Sequence, residues 1–123
     1  MKKVLITEFM EQNSVDKISQ NFDVIYDTSL HENHDNLSSL IADTDAVIVR
    51  NKTQLTEELL LKAKQLTFVG RLGVGLDNID TGYCSRNNII VQPATGMNAD
   101  SVAEYVITCA LSLLKNIPTA HDG

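Results

Sequence analysis

Short runs of apolar, β-branched residues recur along the chain at an even spacing. Each run is continuous rather than alternating, which is typical of strands buried on both faces of a parallel sheet. The runs begin 20, 22, 20 and 23 residues apart, with helical spacing of apolar residues between them. Strands that alternate with helices in this way indicate parallel βαβ units. The pattern predicts an α/β fold, a flavodoxin-like five-stranded parallel sheet in the order 2-1-3-4-5 with helices on both faces. The predicted strands are Val4–Ile6, Val24–Tyr26, Ala46–Val49, Leu66–Val69 and Ile89–Val91.

The last predicted element is a long helix with an unusual surface. From Asn98 to Asn116 the pattern is helical, and Pro118 ends it. Apolar residues cover most of the circumference, as in helices that are buried on several sides. A five-stranded sheet covers only one side. We therefore expect this helix to pack against a second domain or against another copy of the chain.

Composition and charge limit the classes of function. A length of 123 residues leaves no room for two complete domains of ordinary size. The formal net charge is −6, and no clustered basic face of the kind found in nucleic-acid binders is visible. No apolar run reaches the roughly eighteen residues of a membrane span. Two cysteines and three scattered histidines give neither a disulfide framework nor metal-ligand spacing. We predict a cytoplasmic protein with no metal site and with neither nucleic acid nor a membrane as partner.

Polar residues that could form a binding site follow the predicted strands. In open parallel sheets, ligands bind beyond the carboxyl ends of the strands. Thr7 and Glu8 follow the first strand, Arg50–Thr53 the third, Gly70–Gly75 the fourth and Gln92–Asn98 the fifth. Among the basic residues, the candidates for holding an anion are Arg50, after the third strand, and Arg71, after the fourth.

The glycine loop at 70–75 is not a dinucleotide fingerprint. Gly73 and Gly75 supply the first two glycines of G-x-G-x-x-G, but position 78 is Asn. The loop could expose successive backbone N–H groups to an anion, or it could simply form a tight turn. The sequence leaves both interpretations open.

Two other functions of this fold can be tested on the same residues. A phospho-receiver domain needs acidic residues after the first strand, an aspartate after the third and a lysine after the fifth. The chain has Glu8, Arg50 and Gln92 there, so two of the three positions differ. An FMN-binding flavodoxin needs a hydroxyl-rich loop after the first strand, which Thr7–Phe9 does not provide. A non-catalytic module of receiver type remains the alternative hypothesis.

Three stretches resemble motifs of the D-isomer-specific 2-hydroxyacid dehydrogenases. Val69–Asp80 contains the glycine loop, Asn98–Val106 begins the long helix, and Val49–Thr56 fits the phosphoglycerate dehydrogenase-like branch. Pro93–Gly96 is similar to the sulfolactate dehydrogenase branch. The match runs along the whole chain, which identifies it as similar to the N-terminal, substrate-binding part of this family.

The resemblance implies a two-domain enzyme that oxidises the CH–OH group of a 2-hydroxy acid such as 3-phosphoglycerate with NAD. The sequence does not distinguish NAD from NADP. Residues 1–97 would form the substrate-binding domain, 98–117 the crossover helix, and 118–123 the start of a missing Rossmann NAD-binding domain. On this interpretation the truncated chain is inactive alone, its partners are a 2-hydroxy or 2-oxo acid and its own NAD domain, and it pairs as a homo-oligomer through 98–117.

The resemblance also implies substrate-binding roles for five residues. Backbone N–H groups of Val74 and Gly75 would hold the substrate carboxylate, and Asn98 would contact the substrate. Arg50, with Asn51 beside it, would face a distal anionic group. No cofactor ligand is implied within the chain, and the family's catalytic arginine, glutamate and histidine would lie beyond its last residue.

Overall fold

The computed structural model describes residues 2–73 and 75–93, together with residues 100, 101, 103–105, 107 and 108. Its centre is a five-stranded sheet in which every pairing is parallel. The strand order is β2-β1-β3-β4-β5, so the predicted α/β fold and strand order are confirmed. The strands are β1 Lys3–Ile6, β2 Asp23–Tyr26, β3 Ala46–Val49, β4 Phe68–Arg71 and β5 Ile90–Pro93.

The fourth strand is displaced from its predicted position by two residues. Leu66 is buried, but its N–H donates to Ala63 O at 3.4 Å in a turn, rather than joining the ladder. Pairing continues instead to Arg71, which lies opposite Val49 of β3. Because of this shift, the Arg71 side chain starts at the carboxyl edge of the sheet and not in the loop beyond it.

Between residues 2 and 93, four α-helices of the described chain cover the two faces of the sheet. They are α1 Gln12–Ser19, α2 His34–Ile41, α3 Glu57–Leu60 and α4 Thr81–Arg86, and a 3₁₀ turn spans Leu30–Glu32. Neighbouring residues of one strand point to opposite faces, so each central strand contributes to two apolar cores. Ile48 lies in one core and Val47 in the other, and both are fully buried. This double burial explains why the apolar runs in the sequence are continuous.

The beginning of the predicted long helix packs against the α1 side of the sheet. The described residues between 100 and 108 are helical, and Ala103 is buried in the same core as Ile48. Asp100 forms an ion pair with Lys17 of α1 at 2.7 Å, and Tyr105 Oη donates to Gln92 Oε1 at 3.0 Å. Residues 109–117 lie outside the described residues, so the length of the helix and its role in an oligomer stay predictions.

Two further findings concern the described part of the chain alone. None of its helices is long and apolar enough to cross a membrane. It contains no group of three or more His, Cys, Asp or Glu side chains that could hold a metal ion.

Truncation of a residue at the centre of the sheet should be costly. We expect Ile48→Ala to lower the free energy of unfolding by about 2–5 kcal/mol, since it removes buried methyl groups and leaves a cavity. Urea unfolding followed by circular dichroism measures this. The control is Leu61→Ala, because that side chain is 55% exposed. A loss at Ile48 no larger than that of the control would contradict the described core.

Candidate functional site

Three loops meet at the carboxyl edge of the sheet. They follow β1, β3 and β4, and the middle one, residues 50–53, is called the β3 loop below. β3 pairs with β1 on one side and with β4 on the other, so the β3 loop lies between its two neighbours. The contacts of this loop decide the shape of the site.

Glu8, in the loop after β1, holds the β3 loop from one side. Its side chain is only 4% exposed. Its Oε2 accepts hydrogen bonds from Arg50 N at 2.8 Å, Thr53 N at 2.9 Å and Thr53 Oγ1 at 2.7 Å. Its Oε1 accepts from Lys52 N at 3.0 Å. One buried carboxylate therefore satisfies three backbone N–H groups and one hydroxyl.

The same contacts determine the ionisation of Glu8. Burial alone raises the pKa of this carboxyl, because it penalises the charged form. The hydrogen bonds from the Thr53 hydroxyl and from the backbone N–H groups of Thr53, Arg50 and Lys52 act in the opposite direction and prevail. The pKa of Glu8 is lowered from its ordinary value of 4.5, so the group is charged at neutral pH.

A second hydroxyl extends this arrangement into the core. Thr7 Oγ1 lies 2.7 Å from Thr53 Oγ1, and both side chains are fully buried. A hydroxyl has one hydrogen. Since Thr53 gives its hydrogen to Glu8, Thr7 must be the donor of the pair. The hydrogen bonds therefore run in one direction, from Thr7 to Thr53 to Glu8.

Asn78, in the loop after β4, holds the β3 loop from the other side. Its Nδ2 donates to Arg50 O and to Thr53 O, each at 2.8 Å. The backbone carbonyl of Asn78 accepts from Leu55 N at 2.8 Å. Glu8 thus holds three of the four N–H groups of the β3 loop, and Asn78 holds two of its carbonyls. The loop is fixed at both kinds of backbone group.

Arg71 lies along the glycine loop. Its Nη1 donates to Leu72 O at 3.2 Å, and its Nε is buried and has no partner among the described residues. Gly73 has a φ of 145°, in the region that favours glycine, and a Cβ there would collide with Arg71 Nη1. A Cβ on Gly75 would lie 3.6 Å from Arg71 Nη2. The backbone conformation at position 73 therefore requires glycine, whereas the guanidinium end of the Arg71 side chain could move aside.

Two clefts open on either side of the β3 loop, and Asn51 lines both. The first cleft has a volume of about 300 Å³, and its other lining residues are Gln54, Arg71, Gly75, Asp77 and Asn78. The second cleft has a volume of about 330 Å³, and its other lining residues are Glu8, Phe9, Thr28, His31, Arg50 and Lys52.

The structure separates the residues that the sequence analysis assigned to substrate binding. Asn51 and Gly75 meet in the first cleft, whereas Arg50 lines the second. Val74 and Asn98 lie outside the described residues. Their proposed contacts with substrate, like those of the other three, stay predictions.

Three residues of this site were given no substrate-binding role from the sequence. Arg71 was noted as a candidate anion holder but was given no role in the substrate site. Glu8 was noted as a polar residue after the first strand and as an acidic residue that fits the receiver pattern, and Asn78 was noted only as the position at which the dinucleotide fingerprint fails. Each follows a strand, which was the available signal, but their bonds go mainly to backbone groups that leave no mark on the sequence.

Comparison with protein families places the chain. Residues 4–116 match the model of the D-isomer specific 2-hydroxyacid dehydrogenase catalytic domain. The chain belongs to this family. It is 47% identical over 108 residues to the (S)-sulfolactate dehydrogenase of Chromohalobacter salexigens, covering 88% of this chain and 35% of that protein. It is 34% identical over 122 residues to the D-3-phosphoglycerate dehydrogenase of Bacillus subtilis, covering 98% of this chain and 22% of that protein. The chain thus spans about a third or less of these relatives.

Solved structures share the fold of this chain. The PH0520 protein of Pyrococcus horikoshii superposes with a TM-score of 0.71 at 25% identity, covering 99% of this chain and 36% of that one. An NAD+-bound 3-phosphoglycerate dehydrogenase of Entamoeba histolytica gives a TM-score of 0.60 at 24% identity, covering 76% and 32%. The latter likeness is one of fold alone.

The glycine loop of this family member does not fit a dinucleotide. Asn78 occupies the position of the third glycine, and its side chain is committed to Arg50 O and Thr53 O. The helix that follows, α4, has only six residues and begins at Thr81. A pyrophosphate site needs glycines that let the backbone approach the phosphates at the start of a helix.

The depressed pKa of Glu8 leads to a pH-dependent stability. A carboxyl whose pKa is lower when folded stabilises the protein above its unfolded pKa, near 4.5, and loses this contribution as the pH falls through the folded value. At neutral pH we expect Glu8→Gln to cost about 1–3 kcal/mol, since buried donors lose their acceptor. The difference between the two proteins should shrink as the pH falls below 4.5.

Urea unfolding at stepped pH values measures this difference. The control is Glu11→Gln, because Glu11 is exposed and its side chain makes no capping bond to α1. A difference between the original protein and Glu8→Gln that stays constant across the acid range would show that the charge of Glu8 is not what stabilises the loop.

Proposed function

We propose that this chain is the substrate-binding unit of an NAD-dependent 2-hydroxyacid dehydrogenase. The observation that carries the proposal is the first cleft, which this chain forms beside its glycine loop. The chain belongs to the dehydrogenase family. Arg71, Asn51 and Gly75 converge in the first cleft, and all three offer hydrogen-bond donors. A 2-hydroxy acid presents a carboxylate, which requires such donors.

The substrate carboxylate is proposed to bind in the first cleft. Backbone N–H groups of Val74 and Gly75 hold it without the desolvation of a lysine, and Asn98 contacts the substrate from the following segment. The Arg71 guanidinium adds to this set, because its Nε is buried and has no partner among the described residues. An anion that accepts from Arg71 would remove the cost of an unsatisfied donor.

A distal anionic group is proposed to bind in the second cleft. Arg50 and Lys52 line it, and both carry a positive charge. The backbone N–H groups of these two residues are occupied by Glu8, so the side chains must provide the recognition. Among similar proteins, the sulfolactate and 3-phosphoglycerate dehydrogenases are named for acids that carry a second anion. The proposed substrate is therefore a 2-hydroxy acid with a distal phosphate or sulfonate.

The remaining parts of the enzyme are proposed to lie in another unit. Residues 1–97 would form the substrate-binding domain, 98–117 the crossover helix, and 118–123 the start of an NAD-binding domain. The greater length of the similar proteins supports this division. NAD held by that unit would accept the hydride. A cytoplasmic location and pairing through 98–117 stay predictions from the sequence.

The receiver-type module gains no support as an alternative. The residue after β3 is Arg50, where a receiver needs an aspartate. The Glu8 carboxylate already accepts four hydrogen bonds, which leaves it poorly placed to bind a metal ion.

Without the second unit we expect binding but no turnover. The purified chain, mixed with NAD and either 3-phosphoglycerate or lactate, should form no NADH above background in an absorbance assay. Titration with 3-phosphoglycerate in NMR should shift the amide signals of Asn51, Arg71 and Gly75. NADH formation by this chain, or shifts that bypass both clefts, would overturn the proposal.

Arg50→Ala should discriminate between acids with and without a distal anion. We expect the dissociation constant for 3-phosphoglycerate to rise about tenfold or more, since hydrogen bonds between charged groups contribute about 1.5–3 kcal/mol. The constant for lactate should change little. The control is Arg86→Ala, which removes the same charge from an exposed position at the end of α4. Equal losses for both acids would remove Arg50 from the distal-anion role.

A further inference from the structure

We propose that Glu8 is a positioning residue of the substrate site, which sets how Arg50 and Asn51 face the two clefts. This inference rests on the proposed function, because it assigns a role in substrate selection to a residue in the wall of the second cleft whose carboxylate bonds the β3 loop. The inference begins from the number and direction of the bonds that Glu8 makes.

Glu8 turns the peptide groups of the β3 loop inward. Three of the four residues of this loop, Arg50, Lys52 and Thr53, direct their N–H groups at its carboxylate. The fourth is Asn51, whose exposed side chain lines both clefts. With the peptide groups held inward, the side chains of Arg50, Asn51 and Lys52 are left to face the clefts.

The effect of Glu8 can be separated from that of Asn78. Asn78 holds Arg50 O and Thr53 O, whereas Glu8 holds N–H groups. Loss of the Glu8 carboxylate would leave the carbonyl anchors in place. The expected result is a rotated or mobile set of peptide groups in the β3 loop, with the sheet beneath unchanged.

The four donors use both oxygens of the Glu8 carboxylate. Oε2 accepts three hydrogen bonds and Oε1 accepts one. A glutamine offers a single acceptor oxygen, and its NH₂ group would face another N–H donor. If its oxygen takes the Oε2 position, the Lys52 N–H loses its acceptor. Glu8→Gln is therefore expected to act on one backbone group, the N–H of Lys52.

The arrangement divides recognition of the two ends of the substrate. In the glycine loop, backbone N–H groups are proposed to hold the carboxylate. In the β3 loop, Glu8 has already taken the N–H groups, so a distal anion meets Arg50 and Lys52 side chains. A substitution of Glu8 should therefore weaken binding of the distal group of the substrate and leave binding of the substrate carboxylate unchanged.

The experiment compares Glu8→Gln with a pair of substitutions at Thr53. Thr53→Val removes the hydroxyl that donates to Glu8, and Thr53→Ser keeps it. NMR titrations give the dissociation constants of each variant for 3-phosphoglycerate and lactate, and hydrogen exchange reports on the Lys52 amide. Because both Thr53 variants keep the carboxylate, they continue the test if Glu8→Gln does not fold.

We expect Glu8→Gln to raise the dissociation constant for 3-phosphoglycerate about tenfold and that for lactate by less than about twofold. The reason is that the lost charged hydrogen bond affects binding of the distal group alone. The Lys52 amide should exchange faster. Thr53→Ser should resemble the original protein and Thr53→Val should lose the phosphorylated acid selectively. Adding Arg50→Ala to Glu8→Gln should cost little more than either change alone, because coupled residues are not additive.

Several results would overturn the proposal. Binding of both acids could be weakened equally, or the losses of affinity could be additive in the double variant. Either result would mean that Glu8 only stabilises the fold. An unchanged Lys52 amide would show that Glu8 does not hold the loop. Selective loss in Arg50→Ala but not in Glu8→Gln or Thr53→Val would reject the role of Glu8 and leave the proposed function standing. Absence of selective loss in every variant would reject both.

Discussion

The burial of one charged carboxylate constrains everything else in the site. A charged group taken out of water is costly unless hydrogen bonds compensate it. Glu8 is 4% exposed, and it obtains its compensation from three backbone N–H groups and a hydroxyl of a single loop. These donors can converge on one carboxylate only if the β3 loop curls around it. The β3 loop is therefore shaped by a residue of the loop that follows β1.

This shape creates a second requirement, which Asn78 meets. When the N–H groups of the loop turn inward, its carbonyls need donors from elsewhere, since buried polar groups are nearly always paired. The Nδ2 group of Asn78 serves Arg50 O and Thr53 O. A glycine at position 78 has no side chain and could not donate these two hydrogen bonds. The same residue that completes the β3 loop thus removes the dinucleotide fingerprint from the glycine loop.

The fold was predictable from the sequence because its signal is local. Continuous apolar runs at an even spacing indicate buried parallel strands, and the predicted order is the observed one. The first residue of β4 was harder to predict, because Leu66 is buried in a turn and does not join the strand ladder. Arg50, Asn51 and Gly75 could be placed at the carboxyl edge, because strand ends meet there. The division of these residues between two clefts could not, because it depends on the shape of the β3 loop.

The bonds that shape this loop leave little trace in the sequence. Glu8 reaches residues 42, 44 and 45 positions away, and three of its four donors are backbone N–H groups that any residue except proline carries. No side-chain pattern could therefore have marked Glu8 as the centre of the site. The hydroxyl of Thr53 is the single donor that depends on residue type.

Local charge, and not net charge, explains how an acidic protein could bind a doubly anionic acid. The chain carries a formal charge of −6, but salt screens exposed charges beyond about 10 Å at 0.1 M ionic strength. In the first cleft Arg71 is accompanied by Asp77, so binding there relies on directed donors more than on charge. In the second cleft the two cations, Arg50 and Lys52, outnumber the one carboxylate, Glu8. The second cleft is therefore the more positive of the two, and its charge is suited to the distal anion of the proposed substrate.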